Sequence, residues 1–268
     1  MTEQGRAIGI FDSGVGGLTV LRAIHERLPG ESLVYLGDTA RVPYGTKSAA
    51  TVIRYARSCA ELLVKQSVKL LVVACNTASA YALPVLREEL DAPVLGVIEP
   101  GARAAADRTR NGCVGVIGTA ATMGSGAYQD ALLGHNENLR VIVRHCPLFV
   151  PLAEEGWADG PVPRQIASHY LDSMREAGVD TLVLGCTHYP LLKPVIAEVM
   201  GEAVTLIDSA EATSAVVAEV LDGIGIAAPA AGEAYQRFLV TDSPESFAAV
   251  GARFLGHDLS HVEWVDLP

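Results

Sequence analysis

At 268 residues, half of them hydrophobic, the chain has apolar surface for a substantial core in one large domain or two modest ones. Its net charge of −11, with no basic cluster to interrupt it, opposes the phosphate neutralisation that binds nucleic acid, so direct DNA or RNA binding is not expected. The longest apolar run, Leu70 to Cys75, is far below the roughly 20 residues of a membrane span, and "MTEQGRAIGIFDSG" lacks a signal-peptide core, so the expected setting is the cytoplasm, away from membranes.

In chain order, short apolar runs fall at 7–11 (AIGIF), 33–36 (LVYL), 69–74 (KLLVVA), 93–98 (PVLGVI), 113–118 (CVGVIG), 139–143 (LRVIV), 180–185 (DTLVLG) and 203–207 (AVTLI). Helix-length amphipathic stretches such as 48–67 separate most of them, a pattern that predicts βαβ units around parallel sheets. Ligands of such sheets bind beyond the carboxyl ends of the strands.

The pattern also repeats. "AIGIFDSG" resembles "CVGVIGTA" when Ile8 is matched to Val114, and Cys75 matches Cys186 at a nearly equal offset. This predicts two similar α/β halves, with the "IEPGARAA" turn (98–105) and the "IDSAEATS" stretch (207–214) as the nearest candidates for the boundaries between them. Beyond the second turn, "AAPAAGEA" (227–234) reads as a loop, followed by a strand at "RFLVT" and a helix at "PESFAAVGARFLG" that must return to the first half. The expected domains are therefore 1–98 plus 210–268, which is discontinuous, and 99–209.

The loop "IFDSGVGGLTV" (10–20) places Thr19 where a dinucleotide fingerprint needs its third glycine. It also places Gly14 where a phosphatase-type DxD loop needs its second acid. Two readings remain: Asp12 caps the following helix, or Asp12 and Ser13 stand at a strand end where glycines let backbone N–H groups approach an anion. In "GDTARVPYGTKS" (37–48), the Tyr44 hydroxyl and the amides around Gly45 offer donors to a small carboxylate, although a Pro-Tyr-Gly turn alone is ordinary loop chemistry.

Five cysteines without a CxxC pair fit neither a disulfide scaffold nor a metal site. Cys59, Cys113 and Cys146 read as small buried hydrophobes. Cys75 and Cys186 instead end apolar strands, followed by Asn76-Thr77 and Thr187-His188, so hydroxyl, amide and imidazole groups and a helix N-terminus should surround each sulfur. Matched positions in matched halves would aim both thiols at one small molecule from opposite faces, the arrangement for inverting a stereocentre by deprotonation and reprotonation. A reference thiol pKa of about 8.5 can be tuned towards neutrality to give one thiolate and one thiol. Asp12 and His188 are the natural auxiliary groups, with Glu154 or Glu155 behind them.

Five segments, "IGIFDSGVGGLTV", "YLGDTARVPYG", "VVACNTAS", "VGVIGTAAT" and "LVLGCTHYPLL", together resemble the glutamate racemase family of the cofactor-independent aspartate/glutamate racemase superfamily, in its order and over nearly the whole chain. The resemblance implies interconversion of L- and D-glutamate with no cofactor and no metal, supplying D-glutamate for peptidoglycan. It also implies two α/β domains with mainly parallel sheets related by pseudo-twofold symmetry, the active site at their interface, and a homodimer. By motif, the cysteine that takes the α-proton from the D-enantiomer falls on Cys75 and the one that takes it from the L-enantiomer on Cys186. The substrate-contacting residues fall on Asp12, Ser13, Tyr44, Gly45, Asn76, Thr77, Thr187 and His188. Only 11 residues precede Asp12, so control through a longer N-terminal region is not expected; with this net charge, gyrase inhibition, seen in some members of the family, is not predicted either.

Overall fold

A computed structural model describes residues 3–229 and 234–267. Along the chain run β1 (Ile8–Asp12), α1 (Leu18–Arg27), β2 (Leu33–Gly37), α2 (Ala49–Lys65), β3 (Leu70–Val73), α3 (Asn76–Glu89), β4 (Val94–Gly96) and α4 (Ile98–Arg108). Then come β5 (Cys113–Gly118), α5 (Ala120–Gly124), α6 (Ala127–His135), β6 (Arg140–His145), α7 (Phe149–Glu154), α8 (Pro161–Glu176), β7 (Thr181–Gly185), α9 (Lys193–Met200) and β8 (Thr205–Asp208). The chain closes with α10 (Ser209–Gly223), β9 (Gln236–Val240), α11 (Pro244–Leu255) and β10 (Val262–Trp264).

Two sheets result, in the order β10-β9-β2-β1-β3-β4 and β6-β5-β7-β8, with every pairing parallel. The central strands β1, β3, β5 and β7 are buried along their whole length, which is why they read as unbroken apolar runs rather than alternating ones. At the edge of its sheet, β6 carries Arg140, Arg144 and His145 and is only partly covered. One apolar cluster runs from Ile8 and Ile10 through Ile117 to Leu182 and Leu184, so a continuous core spans both sheets. Among the described residues, no helix is long and apolar enough to cross a membrane.

The repeat seen in the sequence has a geometric counterpart. Ile8 pairs with Leu70 across β1 and β3, and Val114 pairs with Thr181 across β5 and β7. Cys75 lies five residues past Leu70 and Cys186 five past Thr181, so both thiols occupy the same step beyond equivalent registers. In each sheet the strand order reverses beside the first strand, and both cysteines leave the sheet at that switch point, where α/β folds open a crevice.

Both candidate boundaries are strand-to-helix joints, the first of them helical where its sequence reads as a turn. "IEPGARAA" forms the first two turns of α4, where Pro100 is tolerated because first-turn N–H groups have no intrahelical acceptor. "IDSAEATS" ends β8 and begins α10, with Asp208 accepting from Ala210 N at 2.9 Å as the cap. In the predicted loop 227–234, residues 230–233 lie outside the described residues. Before it, a buried Lys69–Glu31 ion pair (2.6 Å) fastens the returning chain, Lys69 Nζ donating to Ile226 O and Glu31 Oε1 accepting from Ala228 N.

Candidate active site

Cys75 stands in extended conformation at the N-cap of α3, its Sγ accepting from Ala78 N (3.5 Å) and donating to Ser13 Oγ (3.7 Å). Burial pushes the Cys75 thiol up to about 12, the Asp12 charge adding to the rise and the Ala78 and Ser13 hydrogen bonds opposing it. Burial at Cys75 thus opposes the tuning towards neutrality that the sequence suggests.

Cys186 leaves β7 differently. The chain continues into a 3₁₀ turn at Tyr189–Leu192 that runs directly into α9, whereas Cys75 passes straight into an α-helix. Its partner is His188, whose Nδ1 lies 3.8 Å from Cys186 Sγ and 3.5 Å from Thr187 Oγ1, while Nε2 meets Glu154 Oε1 at 2.8 Å. Burial alone would depress the imidazole, but the hydrogen bonds to Cys186 and Glu154 and the nearby charge of Asp12 prevail and raise it to about 10. The site thus favours the protonated form of His188. Glu154 rather than Glu155 is the acidic partner; Glu155 is exposed.

Asp12 is fully buried, with Gly14 N donating to Oδ2 (3.0 Å) and the amides of Gly17 and Ser13 also facing the carboxylate. Burial raises its pKa, and the nearby His188 and these amides oppose the rise. The backbone amides of this loop thus face the chain's own carboxylate. The glycines also serve a close approach: a Cβ at Gly16 would overlap Thr187 Oγ1 and the His188 ring. Thr19 Oγ1 completes the contact by donating to Thr187 O (3.0 Å).

A cavity of about 340 Å³ opens between these elements, lined by Ser13, Tyr44, Gly45, Cys75, Asn76, Thr77, Cys186, Thr187 and His188. Of the residues singled out in the sequence as substrate contacts, only Asp12 is not part of its wall. Tyr44 contributes to the wall, and its hydroxyl donates to Asp38 Oδ2 (2.5 Å) and lies near Cys59 Sγ (3.9 Å). Asn76 Oδ1 accepts from Tyr128 Oη (2.7 Å), leaving Nδ2 buried without a protein partner.

Residues not anticipated include Thr119 and Glu154's neighbours Val150 and Pro151. Thr119 Oγ1 joins Thr77 and Thr122 in a triangle of hydroxyls 2.9–3.0 Å apart. The repeat held the signal for Thr119, since it follows β5 as Ser13 follows β1; the apolar wall had none. Cys59, Cys113 and Cys146 lie outside the cavity wall and are buried.

Comparison with known proteins agrees with this geometry. The family described as Asp/Glu/Hydantoin racemase matches residues 8–217. A glutamate racemase of Geobacter metallireducens is 58% identical over 262 residues, covering 98% of this chain and 97% of that one. Among solved structures, a glutamate racemase isoform of Bacillus anthracis superposes with a TM-score of 0.95 at 43% identity, covering 99% of both chains. Another, from Francisella tularensis in complex with D-glutamate, gives 0.91 at 38% identity, covering 98% of each.

Proposed function

Because this chain belongs to the Asp/Glu/Hydantoin racemase family, we propose that it interconverts L- and D-glutamate by a two-thiol proton transfer at Cα. The observation that carries the reading is the pair of cysteines at equivalent strand-end positions, both in the wall of one cavity. In the forward sense the Cys186 thiolate takes the α-proton of L-glutamate, and the Cys75 thiol returns a proton to the opposite face. The reverse reaction exchanges the roles. His188, held by Glu154, is placed to donate to the Cys186 sulfur, and Cys75, whose thiol pKa burial raises, is ready as the acid.

The cavity wall contains no Lys or Arg, so beyond His188 a dicarboxylate meets neutral donors. These are the hydroxyls of Ser13, Thr77, Thr119 and Thr187, Asn76 Nδ2, and the N-terminus of the 14-residue α3. Aimed at the α-carboxylate, such donors also stabilise the charge that develops when the α-proton leaves. The volume lies near the lower end of the roughly 300–1,000 Å³ of small-ligand pockets, which suits a small amino acid.

In deuterium oxide, either enantiomer of glutamate is expected to gain deuterium at Cα as racemisation proceeds, read by NMR and circular dichroism. Absence of exchange would remove the mechanism, and a clear preference for aspartate would remove the substrate. Tyr44→Phe, which leaves the buried Asp38 with one donor fewer, is expected to cost about 1–3 kcal/mol in chemical denaturation with little change in KM. The reading extends to a cytoplasmic homodimer that supplies D-glutamate to peptidoglycan synthesis, its units being 1–98 plus 210–268 and 99–209; sedimentation tests the dimer.

A further inference from the structure

Helix α11 lies beyond residues 8–217, the stretch the family description matches, yet it reaches the wall that holds Cys186. The Phe254 ring meets the His188 imidazole edge-on, centroids 5.2 Å apart and planes at 83°. Phe254 is fully buried, and its main-chain carbonyl accepts from Arg22 Nη1 (3.0 Å), which holds its backbone in place. The adjacent Arg253 donates through Nη1 to the Glu154 main-chain oxygen and stacks over Gly156. Both members of the Glu154–His188 hydrogen bond are therefore held by consecutive residues of one helix. The hydrogen-bond partners of Cys75, Ser13 and Ala78, come from other elements.

An imidazole turns about a broad terminal torsion, and an edge-to-face neighbour fixes its plane. We propose that Phe254 and Arg253 are positioning residues for the His188–Glu154 pair, through which α11 governs proton transfer at Cys186 and leaves the Cys75 half-reaction alone. This rests on the reading of Cys186 as the base for L-glutamate.

Enantiomers have an equilibrium constant of one, so any variant must lower kcat/KM equally in both directions; isotope effects tell the two half-reactions apart. With α-deuterated L-glutamate the C–D bond breaks at Cys186, and with the α-deuterated D-enantiomer it breaks at Cys75. Raising only the first barrier makes that step more rate-limiting. Phe254→Leu is expected to lower kcat/KM about tenfold, on the scale of a sub-ångström misplacement, while the isotope effect rises for the L-substrate and falls for the D-substrate.

Arg253→Ala, on an exposed side chain, is expected likewise to raise the isotope effect for the L-substrate and lower it for the D-substrate, without disturbing the core. Phe247→Leu serves as the control: it trims the same helix where it packs on Tyr35 (5.9 Å), and should lower stability without moving either isotope effect. Unchanged isotope effects in both the Phe254 and Arg253 variants, or a rise on the D-side instead, would overturn the proposal. Failure of the underlying reading shows separately, as wild-type protein without solvent exchange or as a fully active Cys186→Ala.

Discussion

Replacing either Cys75 or Cys186 by alanine is expected to lower kcat/KM for glutamate racemisation by about 10²–10⁴-fold, the range for removal of a positioned acid or base. Each thiol is the base in one direction and the acid in the other, so a single replacement stops both. Cys113→Ala and Cys59→Ala, whose thiols lie outside the cavity wall, should retain racemisation. The pH profile carries further information. Productive enzyme holds one thiol and one thiolate, so activity rises as the pair loses its first proton and falls as it loses its second. With the Cys75 thiol pushed up to about 12 by burial, the alkaline fall should begin well above the about 8.5 of an ordinary thiol. The Asp12 charge raises Cys75 further, so Asp12→Asn should move that fall to lower pH. A shift to higher pH, or wild-type rates in Cys186→Ala, would contradict the assignment.

What the sequence made legible was the part governed by local periodicity. Fully buried strands announce themselves as apolar runs, and the five-residue step from paired register to cysteine is identical in both halves because the halves share one topology. Side-chain direction was not legible. The Tyr44 hydroxyl donates to Asp38, and Asp38 is itself fixed by Thr241 Oγ1 (3.0 Å), a partner 203 residues away. Asp12 reads as part of a strand-end nest, and the amides of that loop face its own buried carboxylate. The joint at 98–105 reads as a turn from its Pro and Gly. Pro100 falls in the one helical turn that needs no N–H donor, and Gly101 packs close to Ser209, so tertiary contact keeps it helical.

The glycine stretch after β1 leads to the other large expected effect. A Cβ at Gly16 has nowhere to go: Thr187 is held through its main-chain oxygen by Thr19 and through Oγ1 by Asp12 (3.5 Å). His188 is held by Glu154 on one side and Phe254 on another. Gly16→Ala must therefore strain the loop or push residues 187–188 away from the cavity. Strain of this kind costs about 1–3 kcal/mol, and displacing a catalytic group by about 1 Å costs about 10²-fold in rate. Both losses are expected together, in thermal melts and in kcat. Gly134→Ala tests whether glycine replacement as such is responsible. It lies in α6 with open space around it, and alanine there should stabilise the helix by about 0.5–1 kcal/mol and leave the rate alone. A Gly16→Ala protein with wild-type kcat would mean that the Thr187–His188 wall can yield without losing its chemistry. The close approach of the two loops would then be a matter of packing alone, and the precise placement of His188 beside Cys186 would not limit the reaction.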